Sequence, residues 1–373
     1  MHVTLQITSG CNMSCHYCYS QPSIRNDMSR ETAFKTIDFI AANYPTNTGI
    51  IFFGGEPLLK KDLIKESISY SKSKSNYYHY KVTTNGLMLD EEFLKYTNKE
   101  NLQISVSIDG NEKAHDTFRK YSDGKPTFKE LEPKIKLLLK FQPYAKCLMT
   151  VSPETVSYYA DSFEYLIDSG FKYLIVSLNY AGNWTDKHLN ELKKQYAKIS
   201  SLYERLIMKE EKFYFSPFEM KLASHIRQNN FECYQCHLAQ KQISVVHDGR
   251  IYPCVQFVKD GISNIEYSIG SVQDGIDTSL QNQVYTESKR QDINCIDCDY
   301  NARCNNKCSC LSYQLTGELN KVTPLICETE RILIPLVDKL GERLYKKGSN
   351  MFIQKHYNSI YPILSYPPQQ FPL

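Results

Sequence analysis

Three cysteines near the start of the chain have a spacing that suits an iron–sulfur cluster. Cys11, Cys15 and Cys18 are separated by three and then two residues. Thiolates hold such clusters, and a 4Fe-4S cluster takes four ligands. Three thiolates therefore leave one iron open to a small molecule, much as a catalytic zinc ion keeps an open position. The alternatives are a zinc knob, for which His16 is a badly spaced fourth ligand, and buried thiols.

A later segment of the chain is also rich in cysteine. Nine of the 13 cysteines lie between Cys233 and Cys327, where long apolar runs are few. Such a segment buries little core, so we expect it to fold around metal. Because a pair such as Cys295 and Cys298 also suits zinc, two zinc ribbons are the alternative interpretation.

Composition excludes several classes of partner. The 44 basic and 41 acidic residues give a net charge of +3, which is too balanced to indicate nucleic acid. No apolar run approaches the roughly 18 residues of a membrane span, so we expect no membrane partner either. The alternating segment from Met1 to Ile7 is typical of a strand and not of a secretion signal. We therefore expect a cytoplasmic protein, whose thiols are better explained by metal than by disulfides.

The pattern of elements indicates how these residues are positioned. Six β-rich segments precede residue 180, and each is followed by a polar turn and a stretch of helical period. They are 3–8, 49–53, 80–84, 102–108, 146–151 and 173–178. Ser29 is placed to cap the first helix, whose face carries Phe34, Ile37 and Ile40. We predict an α/β fold, a partial (β/α)6 TIM-type barrel, with functional groups on the loops that leave the strands.

The loops after these strands carry further motifs, and together with the cysteines they resemble the radical S-adenosylmethionine (SAM) superfamily. That family has a Cys-x3-Cys-x2-Cys loop with an aromatic residue, here Tyr17, before the last cysteine. The resemblance covers about residues 1–180. It implies that SAM chelates the open iron, and that reduction releases a 5′-deoxyadenosyl radical. The cofactor then performs the radical chemistry, and the protein positions the cofactor and the substrate.

The resemblance also implies which residues contact SAM. Gly54-Gly55-Glu56-Pro57 follows the second strand and looks like the motif that binds the SAM amino group. In it the glycines permit close backbone approach and Glu56 pairs with the ammonium. Ser107 and Arg119 match the residues that contact the ribose and the carboxylate. Asn85 and Asp109 end strands too, and turn chemistry explains them equally well.

The second cysteine region resembles the SPASM domain, a module with two auxiliary 4Fe-4S clusters. The resemblance assigns Cys236, Cys254 and Cys308 to auxiliary cluster I, with Cys233 as fourth ligand. It assigns Cys295, Cys298, Cys304 and Cys327 to auxiliary cluster II. Cys147 and Cys310 have no assigned place and are interpreted as buried or spare thiols. The expected domains are a radical SAM core (1–200), a bridge (201–232), the SPASM domain (233–327) and a C-terminal helix and tail (328–373).

Enzymes with this combination mostly modify peptides or proteins, and the stretch 252–258 looks most like thioether-forming maturases of ribosomal peptides. The segment Glu328-Thr329-Glu330-Arg331, after the last predicted ligand, adds support to the resemblance to thioether-forming maturases. Sulfatase maturases carry a catalytic aspartate directly after the cysteine that matches Cys254, whereas this chain has Val255, so formylglycine formation ranks second. A non-catalytic electron-transfer protein is the third hypothesis, but it would need neither an open iron nor the 54–57 loop.

The expected partners follow from that function. They are a precursor peptide and an external one-electron reductant of flavodoxin or ferredoxin type. Only ten residues precede Cys11, so we expect leader recognition from a separate leader-binding protein, from the SPASM region or from a sheet edge that pairs with the peptide.

Overall fold

Strands and helices alternate through the first two thirds of the chain. The computed structural model describes residues 1–18, 25–74, 76–227, 237–258, 267–305 and 308–358. The strands are β1 (His2–Thr8), β2 (Thr48–Gly54), β3 (Tyr78–Thr84), β4 (Leu102–Ser107), β5 (Lys146–Val151), β6 (Tyr173–Leu178) and β7 (Tyr214–Phe215). Each pairs in parallel with the next. Their carboxyl ends therefore lie along one edge of the sheet.

Eight helices connect and cover these strands in the described part of this region. They are α1 (Arg30–Asn43), α2 (Lys61–Lys72), α3 (Glu91–Glu100), α4 (Glu112–Phe118), α5 (Phe128–Phe141), α6 (Tyr159–Asp168), α7 (Asp186–Met208) and α8 (Ser216–Arg227). Ser29 caps α1 as predicted, because its side chain accepts a hydrogen bond from the Thr32 N–H. All six predicted strands form, with bounds that differ by a residue or two. The predicted α/β fold is confirmed.

The cysteine-rich region extends the same sheet. Strand β8 (Gln242–Val245) pairs in parallel with β1, and the antiparallel strands β9 (Arg250–Tyr252), β10 (Gly270–Ser271) and β11 (Gly275–Ile276) follow outward. The order β11-β10-β9-β8-β1-β2-β3-β4-β5-β6-β7 makes β1 an interior strand. Sequence analysis did not predict these strands, because two to four residues are too few to show a clear alternation.

The remaining helices attach this region to the first. They are α9 (Thr278–Lys289), α10 (Ser309–Thr316), α11 (Pro324–Lys346) and α12 (Asn350–Tyr357). Helix α11 packs against α7 and α8, and the Nζ of Lys221 in α8 lies 2.6 Å from an Oε atom of Glu330 in α11. Both side chains are buried. In the ranges given above, no helix is long and apolar enough to cross a membrane.

Arg303 joins the loop between Cys298 and Cys304 to two helices. Its guanidinium makes two hydrogen bonds to the Asp338 carboxylate in α11, one of them 2.8 Å long. Its Nε donates to the hydroxyl of Ser224 in α8 at 3.1 Å. This set of contacts requires a planar group with several N–H donors. Arginine has such a group and lysine does not. Arg303 therefore positions part of the predicted metal-binding loop.

We expect Arg303→Lys to lower the free energy of unfolding by about 1–2 kcal/mol, because the second bond to Asp338 and the bond to Ser224 are lost. Urea unfolding of the anaerobically purified protein measures this. Arg331→Lys is the control, since Arg331 pairs with Glu328 at the surface and should change stability by less than about 0.5 kcal/mol. Equal losses in the two variants would contradict a positioning role for Arg303.

Candidate functional site

The loop that carries the first three cysteines begins at the carboxyl end of β1. The Thr8 hydroxyl accepts a hydrogen bond from the Gly10 N–H at 2.9 Å and donates one to Asp27 at 2.6 Å. The Cys18 N–H donates to the Cys15 carbonyl at 3.0 Å. All three cysteine side chains are partly exposed. The loop thus presents three accessible thiols within eight residues of each other along the chain.

Two glycines after β2 allow the next loop to lie directly against the cysteine loop. The Gly55 N–H donates to the Thr8 carbonyl and the Glu56 N–H to the Gly10 carbonyl, each at 2.8 Å. A Cβ atom on Gly54 would lie 2.0 Å from the Thr8 oxygen, and one on Gly55 would lie 2.3 Å from the Gly10 oxygen. Gly54 also has a φ of +147°. Both positions therefore exclude a side chain because the two loops approach each other closely. The contact of these glycines with SAM stays a prediction.

Glu56 links the loops that follow β2 and β3. One carboxylate oxygen accepts hydrogen bonds from the Leu58 N–H at 2.9 Å and the Thr84 hydroxyl at 2.7 Å, and the other accepts from the Asn85 N–H at 2.7 Å. Burial raises the pKa of Glu56, and these three bonds lower it. Pro57 begins the buried turn Pro57–Lys60. Both Glu56 oxygens thus already have donors within the protein; its predicted pairing with the SAM ammonium is not tested by this geometry.

Asp109, just beyond β4, holds the other side of the cysteine loop. One of its oxygens accepts hydrogen bonds from the Tyr17 hydroxyl and from the Arg119 Nε, the latter at 2.9 Å. The other oxygen accepts from the Thr150 N–H at 2.9 Å. Burial raises the pKa of Tyr17 well above its usual value, so its hydroxyl stays protonated and donates. The cysteine loop, the end of α4 and strand β5 therefore meet at one buried carboxylate.

Backbone and ring contacts reinforce this attachment. The Ser14 N–H donates to the Lys120 carbonyl at 2.8 Å, and the His16 N–H donates to the Phe118 carbonyl at 3.3 Å. The Tyr17 ring meets the Phe118 ring edge to face at 5.4 Å between centroids. The cysteine loop is therefore fixed on this side by main chain as well as by side chains.

Of the residues predicted to contact SAM, the structure brings Tyr17 and Arg119 together. The Arg119 guanidinium lies 5.5 Å from the centre of the Tyr17 ring. Ser107 is the last residue of β4 and is half-buried. Sequence reasoning did not select Asp109 or Asn85 as site residues. Their only signal was a glycine directly after a polar residue at a strand end, which a turn explains equally well.

The sulfur of Cys11 lies in a polar setting that suits a metal ligand. It accepts hydrogen bonds from the Met13 N–H at 3.4 Å and from the Asn85 amide at 3.9 Å. Burial raises the pKa of Cys11 and raises that of Cys15 to about 11, although Arg119 lowers the latter. Binding to a metal must displace these protons, and donors to sulfur favour the thiolate that results. The surroundings of Cys11 and Cys15 therefore suit ligands of an iron–sulfur cluster, although within the described ranges no three His, Cys, Asp or Glu side chains already form a group that could hold a metal ion.

The later cysteines form two groups in the described residues. The sulfur atom of Cys310 lies 3.6 Å from those of Cys254 and Cys308. Burial raises the pKa of Cys327, and the neighbouring thiols of Cys295 and Cys298 raise it further. Cys304 lines a cavity beside β6. Cys233 and Cys236, predicted ligands of auxiliary cluster I, lie outside the described residues. Cys147 is fully buried in β5, with its sulfur 3.7 Å from the Ile108 carbonyl.

Comparison with known proteins identifies the first region. Residues 5–166 match the model of the Radical SAM superfamily. The chain carries a radical SAM domain. Members of this superfamily bind SAM and a 4Fe-4S cluster, and the relatives of this radical SAM enzyme include enzymes that modify peptides or proteins. The prediction of a radical SAM domain in this part of the chain is confirmed.

Two relatives and one solved structure show the extent of the similarity. The chain is 24% identical over 324 residues to the cysteine-type anaerobic sulfatase-maturating enzyme of Clostridium novyi (strain NT), covering 81% of this chain and 85% of that protein. It is 26% identical over 287 residues to the antilisterial bacteriocin subtilosin biosynthesis protein AlbA of Bacillus subtilis (strain 168). That alignment covers 73% of this chain and 57% of AlbA. The fold matches the solved structure of native anSMEcpe with bound AdoMet and Kp18Cys peptide, with a TM-score of 0.76 and 18% sequence identity. The match covers 96% of this chain and 100% of that one.

We expect Asp109→Asn to lower the free energy of unfolding by about 3 kcal/mol, because Arg119 is then buried without its counter-charge. Chemical unfolding of the metal-free protein measures this, and iron content after reconstitution reports on the loop. Asp123→Asn is the control, since the Asp123–Lys125 pair is exposed. Unchanged unfolding and iron content in Asp109→Asn would show that this carboxylate does not fix the loop.

Gly55→Ala should lower iron incorporation and cost about 1–3 kcal/mol of stability, since the new methyl group must displace the Gly10 carbonyl. Iron per chain after anaerobic reconstitution and the midpoint of thermal unfolding are the measurements. In the control Gly124→Ala, the new methyl group has no heavy atom within 4 Å, so only backbone strain at a φ of +82° is added. A smaller effect at Gly55 than at Gly124 would rule out the proposed close approach.

Proposed function

We propose that this radical SAM enzyme installs a crosslink, a thioether or a carbon–carbon bond, in a ribosomally made, cysteine-containing precursor peptide. The observation that carries the proposal is that the cysteine loop and a cavity lie along the same edge of the sheet. The cysteine loop leaves the carboxyl end of β1, and a cavity lies beside the end of β6 along the same edge of the parallel sheet. Ligand sites in parallel α/β folds occur at this edge.

The cavity has a size and lining that suit a peptide side chain. Its volume is about 380 Å³, and Leu178, Tyr180, Cys308, Glu330 and Leu333 are among the residues that line it. A cavity with apolar walls and a few polar groups is typical of ligand sites. It lies between the radical SAM domain and the cysteine-rich region, so a bound residue would be near both.

The second half of β6, which has no partner strand on the β7 side within the described chain, is a further argument for a peptide substrate. Strand β7 pairs only with Tyr173 and Leu174, so within the described chain the second half of β6 has no strand on that side. Its Val176 N–H donates to the Ser216 hydroxyl at 2.9 Å. An extended peptide can add to such an edge through main-chain hydrogen bonds. This is the sheet-edge route to leader recognition; a separate leader-binding protein and the cysteine-rich region are the other two.

The residues assigned to the cofactors are part of the proposal. Cys11, Cys15 and Cys18 would hold the SAM-binding cluster, and Tyr17, residues 54–57, Ser107 and Arg119 would contact SAM. Two auxiliary clusters would occupy a SPASM domain at 233–327, after a core at 1–200 and a bridge at 201–232. The first cluster and SAM would together supply the radical that abstracts hydrogen, with electrons from an external flavodoxin or ferredoxin. The protein holds these groups in position and excludes water.

Formylglycine formation on a sulfatase is the second candidate. It is supported by the 24% identity to the Clostridium novyi maturating enzyme over 81% of this chain. Against it stands Val255, which follows Cys254 where the resemblance to sulfatase maturases calls for a catalytic aspartate. Valine cannot accept the proton that this oxidation releases.

Anaerobically reconstituted enzyme, given SAM and dithionite, should form 5′-deoxyadenosine. Cys15→Ala should abolish the product because the first cluster loses a ligand, whereas Cys147→Ala should retain it, since that thiol lies within β5 and is not a predicted ligand of any cluster. Liquid chromatography measures the nucleoside. No product from fully loaded wild-type enzyme would favour the electron-transfer protein instead.

A peptide assay separates the two enzymatic functions. With a cysteine-containing peptide encoded by a neighbouring gene, we expect a product lighter by two hydrogens whose thiol resists alkylation. Formylglycine would instead be an aldehyde that reacts with a hydrazide. Mass spectrometry with and without each reagent distinguishes the outcomes. A hydrazide adduct on a sulfatase peptide, with the precursor peptide unchanged, would replace our proposal by the second candidate.

A further inference from the structure

Four basic side chains lie on the face of the parallel sheet that is opposite the helices. Alternate strand residues, such as Val82, are buried in the core beneath the helices, and their neighbours point to the other face. That face carries His2 from β1, His79 and Lys81 from β3, and Lys146 from β5. The strands β1 to β6 contain no acidic residue. These cations therefore receive no counter-charge from their own strands.

The basic groups are close enough to act on one another. Burial, followed by the charge of Lys146, lowers the pKa of Lys81 to about 8. Burial also lowers the pKa of His2, and the amino-terminal group, Lys81, His79 and Lys146 lower it further. Burial lowers the pKa of Lys146 too. Most Lys81 side chains keep their proton at pH 7, so like charges are held together in a setting that screens them poorly.

The two lysines lie beside a buried hydroxyl group. Lys81 pairs with Gln103 of β4, and Lys146 of β5 pairs with Ser105, two residues further along β4. Ser105 is 1% exposed, and its hydroxyl has no hydrogen-bond partner among the described residues. Within the same ranges, neither ammonium group has a hydrogen-bond or carboxylate partner. Polar groups withdrawn from water are costly without partners. One anion with several acceptor oxygens would supply a partner for all three.

We propose that a small tetrahedral oxyanion, phosphate or sulfate, binds between Lys81 and Lys146, with the Ser105 hydroxyl as a third donor. Ammonium groups make their strongest hydrogen bonds to ionised oxygen acceptors, and a tetrahedral oxyanion has enough oxygens for three donors. The donors belong to the neighbouring strands β3, β4 and β5, so the sheet fixes their spacing. Lys81 lies three residues before the end of β3, about 10 Å from the edge that carries the cysteine loop. The site is therefore separate from the proposed radical site.

The test is sulfate binding by the full-length, anaerobically reconstituted protein. Isothermal titration calorimetry at pH 7, with chloride at constant ionic strength, measures the affinity. We expect saturable binding that weakens about tenfold or more in Lys81→Met and in Lys146→Met, since each variant loses a charge-assisted hydrogen bond. Lys81→Arg keeps the charge and should retain most of the affinity. The control Lys136→Met removes a lysine that pairs with Glu132 at the surface, and it should bind as the wild type does.

The pH dependence gives a readout that a structural role would not change. Sulfate keeps its charge between pH 7 and pH 9, whereas Lys81 loses its proton in this range, so the affinity should fall as the pH rises. The amino-terminal group, whose pKa is lowered from 8.0, also titrates here. The diagnostic result is the part of the fall that Lys81→Met removes.

Three results would overturn the proposal. The first is the lack of saturable sulfate binding by the wild-type protein, and the second is wild-type affinity in both methionine variants. The third is acetate binding more tightly than sulfate, because a carboxylate has only two oxygens for three donors. The midpoint of thermal unfolding without sulfate checks the fold of the variants. It should be unchanged or higher in Lys81→Met, since an unpaired charge is removed from the sheet.

Discussion

Two buried carboxylates determine where the first three cysteines lie. Residues 9–18, which carry them, contain no helix or strand, so neighbouring loops must fix this segment. Asp109 does this through the hydrogen bond that it accepts from Tyr17, and Glu56 acts through Asn85, whose side-chain amide donates to Asn12. Each carboxylate accepts three hydrogen bonds within the protein. A buried carboxylate is costly unless donors saturate it. The two saturated carboxylates therefore hold Tyr17 and Asn85 in place, and these two residues contact the segment that carries the thiols.

The position of β1 connects this loop to the rest of the molecule. Strand β1 pairs in parallel with β2 on one side and with β8 of the cysteine-rich region on the other. The cysteine loop therefore leaves an interior strand, and its location relative to β8 and β9 is set by backbone hydrogen bonds. Cys254 follows β9 after a single residue. The proposed radical site and the proposed auxiliary centre thus belong to one continuous sheet, which favours a fixed distance between them.

The alternation of strands with helices was predictable from sequence because each parallel strand is a short apolar run between polar turns. The roles of Asp109 and Asn85 were not, since a polar residue before glycine at a strand end is equally expected from turn chemistry. Their importance arises from contacts with residues about 90 and 70 positions earlier, Tyr17 and Asn12. Local spacing contains no information on such contacts. The strands β8 to β11 were missed because they are too short to show a period.

The cysteine-rich region is also organised by charges that need no metal. The ammonium group of Lys221 lies 2.6 Å from Glu330 and donates to the carbonyl of Arg303 at 2.6 Å. Arg303 in turn binds Asp338. A buried ion pair contributes little net stability on average, but removal of one partner is costly. The pairs therefore act mainly on geometry: they hold Arg303, directly before Cys304, against α8 and α11. The proposed auxiliary clusters would then complete a frame that the side chains of two helices have already established.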